Sequence, residues 1–174
     1  MGGLSETLQA VQRFVESGGN VLYGVMILLL FMWTLIFERI FYYNFRHPKV
    51  RRQVIETWNA RADTSSWYAK QIRAGMVSKV HMDLTNGLLM IRTLVALCPL
   101  MGLLGTVTGM IEVFDVLALT GSGNARAMAA GVSKATIPTM AGMVAALSGM
   151  FFMYRLETYA KRETERIDDS LVQH

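Results

Sequence analysis

The chain has 174 residues, of which 52% are hydrophobic, a mean hydropathy of +0.33 and a formal net charge of +4. That length holds one domain, and so apolar a composition argues against an ordinary soluble protein and for a bilayer. The basic residues sit beside apolar runs rather than along an aromatic-interleaved surface, which speaks against nucleic acid, and the lone Cys98 excludes an internal disulfide or a cysteine metal site.

The N-terminal stretch MGGLSETLQAVQRFVESGG lacks the basic start and early apolar core of a secretory signal and reads as part of the mature protein. Within it Leu4, Leu8, Val11 and Val15 recur at helical spacing among polar residues. This predicts an amphipathic helix over residues 1–19, either lying on the outer membrane surface or packed against neighbouring subunits.

About 20 residues at a rise of about 1.5 Å cross a hydrocarbon core of about 30 Å. Three stretches meet that length: VLYGVMILLLFMWTLIF (21–37), TLVALCPLMGLLGTVTGMI (93–111) and AMAAGVSKATIPTMAGMVAALSGMFFMY (127–154), the last interrupted only by Lys134. They are apolar all round, unlike the striped helices of a soluble bundle. The expected fold is an all-α membrane protein with transmembrane helices at 20–42, 89–119 and 126–155, a helical loop at 43–88, a turn at 120–125 and a tail at 156–174. Eight Lys and Arg residues between Arg46 and Lys79, and Arg155, Lys161, Arg162 and Arg166 after the third span, place the loop and tail in the cytoplasm and the N-terminus outside. Trp33, Tyr42, Tyr43, Tyr154 and Tyr159 stand near the inner span ends as candidate interfacial anchors.

In the loop, Pro48 signals a helix start, with Val50, Val54, Ile55 and Trp58 on one face, and DTSS (63–66) offers a break and a cap. From Trp67 on, a spacing of three and four through Tyr68, Ile72, Met76, Val80, Leu84, Leu88 and Ile91 predicts one unbroken helix running into span two. The charged exit of span three, RLETYAKRETERIDDSL, reads as a solvated helical extension. His47, His81 and His174 have no metal-ligand spacing and read as solvated or capping residues. No catalytic constellation is visible, so an enzyme and a cofactor are not expected.

Spans two and three differ in kind from the bulky first span. Gly102, Gly105 and Gly109 cluster in one, and Gly131, Ala135, Pro138, Gly142, Ala145 and Gly149 form a stripe in the other. Small residues at such spacing let helix backbones approach closely, which is how membrane helices pack without a hydrophobic driving force. Thr106 lies among the glycines of span two, with Thr108, Glu112 and Asp115 toward its outer end, and Thr136 and Thr139 flank Pro138. Their hydroxyls either bond a carbonyl of their own helix or line a wet path.

Lys134 costs roughly 2.5–3.5 kcal/mol at mid-span on insertion scales, so it faces a bundle interior, a partner charge or water, or else snorkels outward. It stands eight positions after Arg126, about 12 Å along a helix, which favours an inward orientation. Pro138 leaves the Lys134 carbonyl without its helical partner, so an ammonium and a free carbonyl share one turn. Together they predict a hydrated level inside a helix bundle.

The blocks MGLLGTVTGMIEVF (101–114) and AGVSKATIPTMAGMVAAL (130–147), in this order and with this topology, resemble the MotA/TolQ/ExbB proton-channel family. Within it the short chain is similar to the ExbB branch of TonB systems. The resemblance implies a bacterial inner-membrane motor subunit that forms a ring, in the family a homopentamer, around single-span ExbD-like helices. Proton flow would then energise a TonB-like protein and outer-membrane transport. It further implies pore-lining roles for Thr106 and Thr139, which match the family's two pore threonines. Lys134 departs from the pattern, since the family carries a glutamate there. A lysine could instead pair with the aspartate that an ExbD-like partner contributes and hold it ionised. A TolQ-like subunit serving envelope integrity and a scaffold without proton conduction are the alternatives.

Overall fold

The computed structural model describes residues 5, 6, 9, 19–64, 66–120 and 125–171. The amphipathic helix predicted over 1–19 lies mostly outside these residues, as do positions 121–124 of the predicted turn.

All the described elements are helical. Helix α1 spans Gly19–Phe41, a five-residue π turn follows at Tyr42–Arg46, and α2 spans His47–Asn59. Pro48 stands in the first turn of α2, where its missing N–H costs nothing within that helix. It cannot donate to the carbonyl four residues back, that of Asn44, and the π turn falls at this point. The chain thus stays helical through the position where a fresh start was expected.

The break predicted at DTSS is present and capped at both levels. Ser66 N donates to Asp63 Oδ1 at 3.1 Å, and Ser66 Oγ accepts from Ala69 N at 3.2 Å, opening α3 at Trp67–Thr85. The unbroken helix expected from Trp67 into span two is not found. Asn86 adopts an extended ψ of 133° and Gly87 a φ of +78°, so the chain turns before α4 starts at Leu88. Asn-Gly is a turn signal, and only glycine takes that φ without strain. Helix α4 covers Leu88–Thr120 and α5 covers Ala125–Ser170, with Pro99 and Pro138 inside them. Three stretches, Gly19–Asn59, Trp67–Leu119 and Met128–Ser170, contain helical windows long and apolar enough to cross a membrane.

The chain divides into two compact units. The first is formed by the described residues up to Met32 and by Thr93–Met150. Its interior combines small side chains such as Val25, Val95, Cys98, Ala135, Ala145 and Ala146 with the larger Leu22 and Met32. The second is formed by Trp33–Arg92 and the chain from Phe151 onward, and its interior is bulkier, with Ile36, Trp58, Leu84, Ile91, Leu156 and Ile167 buried. Within it Val50, Val54 and Ile55 are half-buried on the same face of α2 as Trp58. Tyr43 is buried rather than interfacial: its hydroxyl donates to the Leu84 carbonyl at 2.7 Å and its ring stacks on Tyr159 at 4.9 Å.

Candidate functional site

In the first unit, α4 and α5 meet along a seam of glycines. A Cβ added to Gly102 would lie 2.9 Å from the Thr139 Cα, and one added to Gly109 would lie 2.6 Å from the Ala135 Cβ. At Gly105 the added carbon would collide with the Pro138 ring, and at Gly142 it would stand 2.5 Å from the Cys98 carbonyl oxygen. Gly131 makes room for Val113 in the same way. Backbones this close exclude larger side chains and leave main-chain carbonyls within reach of side-chain donors across the seam.

One threonine uses that reach. Thr139 Oγ1 donates to the Gly102 carbonyl on α4 at 2.8 Å, a bond from helix to helix. Thr106, half-exposed, donates instead to Leu103 O of its own helix at 2.7 Å. Thr108 and Thr136 likewise bond carbonyls of their own helices, Leu104 O at 3.0 Å and Ser133 O at 2.9 Å. The structure therefore separates these threonines: Thr106, Thr108 and Thr136 satisfy themselves locally, and Thr139 joins the two helices.

Lys134 meets an acid of its own chain. Its Nζ stands 3.2 Å from Glu112 Oε2 on α4. The positions explain the meeting. On α4 the series Gly102, Gly105, Gly109 and Glu112 advances by three, four and three, and on α5 Lys134 lies three after Gly131 and four before Pro138. The pair thus stands beside the seam, between the Gly109–Ala135 and Val113–Gly131 contacts, with both side chains exposed within the chain. The Lys134 stem passes beside the start of α1, where a Cβ on Gly19 would lie 3.9 Å from Lys134 Cε. Reading α4 as a seam series rather than a cluster of glycines would have pointed to Glu112, which sequence reasoning placed only toward the outer span end.

The second unit holds a polar group that the sequence reading missed. His47, expected to be solvated or capping, is 3% exposed, because α5 sets the equally buried Glu163 beside it. Its Nδ1 lies 4.0 Å from Glu163 Oε2, and Glu163 also meets Arg51 at 3.9 Å and Arg166 at 2.6 Å. His47 Nε2 is buried without a hydrogen-bond partner among the described residues. Burial pushes the imidazole below the ordinary histidine value, with Arg51 adding to the effect and Glu163 opposing it. Burial likewise pushes the neighbouring Tyr43 hydroxyl up to about 12. No cluster of three or more His, Cys, Asp or Glu side chains among the described residues could hold a metal ion.

The sequence of this chain has known relatives. An ExbB-like 1 biopolymer transport protein, so named, of Synechocystis sp. is 27% identical over 176 residues, covering 83% of this chain and 69% of that protein. A protein of the same name from Helicobacter pylori is 28% identical over 112 residues, 60% of this chain and 59% of its own. The biopolymer transport protein exbB1 of Vibrio cholerae is 34% identical over 87 residues, 49% of this chain and 38% of its own. The chain thus spans less than two thirds of the latter two. The family described as the MotA/TolQ/ExbB proton channel family matches residues 33–169, a stretch that takes in the seam, the Lys134–Glu112 pair and the buried His47. With its three membrane-length helices and a match over most of its sequence, this multi-pass chain belongs to the MotA/TolQ/ExbB proton channel family.

Proposed function

We propose that the chain is a subunit of a proton-driven motor in a bacterial inner membrane, which works with an ExbD-like single-span protein to energise a TonB-like protein and outer-membrane transport. The observation that carries the reading is the Thr139 hydroxyl bonded across a glycine seam to the Gly102 carbonyl, inside a family whose description is a proton channel. The likeness to exbB1 of Vibrio cholerae favours the ExbB branch over a TolQ-like role.

In this reading the loop and tail face the cytoplasm and the N-terminus faces the periplasm, as the distribution of Lys and Arg directs. Five copies surround the partner helices, and lipid covers the remaining apolar surface. Thr106 and Thr139 line the proton route. Gly102, Gly105, Gly109, Gly131, Pro138 and Gly142 hold the two helices close enough for hydroxyl and carbonyl to form that lining. Lys134 tunes the charge at its outer part. A hydroxyl both accepts and donates a proton, so a threonine can pass one along a water chain without ionising.

The test is co-expression and co-purification with an ExbD-like single-span protein, followed by native mass measurement. Five copies of this chain around a smaller number of partner helices are expected. Assembly of this chain alone, with the partner recovered free, would leave the scaffold reading in place.

A further inference from the structure

His47 is the first residue of α2, directly after the π turn, and it is buried although both of its neighbours in sequence are exposed. We propose that it is an acid-released latch: near neutral pH the uncharged imidazole holds the start of α2 against α5, and a proton that His47 takes up from the cytoplasm loosens α2 from that helix. The motor reading supplies the placement of both helices in the cytoplasm, on which this inference rests.

The charged and titratable groups around the imidazole come from each element that packs there. From α5, Glu163 sets its carboxylate 4.0 Å from Nδ1, and Tyr159 turns its ring edge-on with centroids 6.4 Å apart. Tyr159 in turn stacks on Tyr43 of the π turn, and Arg51 reaches in from α2 itself. Glu163 is the one acid of the group, and it is already engaged by two guanidiniums, Arg166 at 2.6 Å and Arg51 at 3.9 Å. A charged His47 would be a third cation on a single buried carboxylate. Neither tyrosine can offset it, since both hydroxyls titrate above their ordinary range and stay neutral.

Protonation also makes both ring nitrogens donors. Nε2 is buried without a hydrogen-bond partner among the described residues, so its new N–H would be a buried donor without an acceptor. Both costs vanish once the imidazole reaches water, and burial accordingly holds its proton affinity below the ordinary value. Motion is easiest at this end of α2. The π turn at Tyr42–Arg46 interrupts the regular helix just before His47, whereas Trp58 anchors the far end of α2 at 2% exposure.

Hydrogen exchange followed by mass spectrometry on the purified full-length complex, at about pH 7.5 and about pH 5.5 with exchange times scaled for the intrinsic rates, tests the latch. Freed histidine binds its proton near 6.5, so one pH unit below this the opening of α2 should rise by up to about tenfold. Peptides from the first turns of α2 should show that acceleration, and those of α3 should not. His47→Gln should exchange alike at both pH values. Arg51→Gln, a change at a half-exposed side chain that removes one competing cation, should show a smaller acceleration than the wild type. An acid response absent from wild-type α2, equal in α3, or undiminished in His47→Gln overturns the latch. The measurement needs no proton flux, so a chain that fails every transport assay yet opens in this way would contradict the motor reading and leave the latch standing.

Discussion

Replacing Gly142 by alanine would put a methyl group 2.5 Å from the Cys98 carbonyl oxygen, a main-chain atom that cannot turn aside. Overpacking of this kind costs about 1–3 kcal/mol, so Gly142→Ala should lower the unfolding temperature in detergent, whereas Gly75→Ala, with nothing within 4 Å of the added carbon, should not. Thr139→Val removes the bond to Gly102 O while keeping the shape. Interhelical side-chain bonds in membranes average about 0.6 kcal/mol and reach about 1.7, so this variant should assemble and unfold nearly as the wild type does. The small residues of the seam were legible in sequence because their spacing is helical. Which threonine crosses it was not, since a hydroxyl with two carbonyls in reach is decided by the local closeness of two backbones. Glu112 was legible only as a charge near a span end, because its partner lies 22 positions away on another helix.

At the scale of elements, two interruptions decide the course of the helices. Gly87 holds a φ of +78°, and its alanine variant should lose about 1 kcal/mol through that dihedral alone, seen as earlier melting of α3 by hydrogen exchange. The Asn-Gly signal stood in the sequence but was outweighed by apolar residues whose spacing continues across it. Periodicity records which face is buried and is blind to a turn that preserves the face. His47 was unreadable for a related reason, since its burial depends on Glu163 more than a hundred positions later. Its lowered proton affinity has a stability consequence with a definite sign. The unfolded chain, with an ordinary histidine near 6.5, binds the proton more readily than the folded one. The contribution is therefore present above pH 6.5 and is lost progressively as pH falls below it. Thermal unfolding followed from neutral to mildly acidic pH should show that loss, and His47→Gln should flatten it. For Tyr43 the loss comes at the alkaline end, as pH rises from 10 towards about 12.

For the whole molecule, the three apolar windows are only 22%, 28% and 28% buried within the chain, so most of their surface must be covered by lipid or by other chains. The helical, three-span character was legible because apolar runs of that length have few other uses. The division into two units was only partly so: the glycine-rich spans stood out, but the second unit assembles residues from two stretches far apart in sequence. The seam of α4 and α5 is proposed to carry protons, and proton flux into vesicles containing the complex is the direct test of that role. Thr106→Val together with Thr139→Val should leave the amount of assembled complex unchanged and reduce flux to the background of a deletion strain. Undiminished flux through that double variant would contradict the claim.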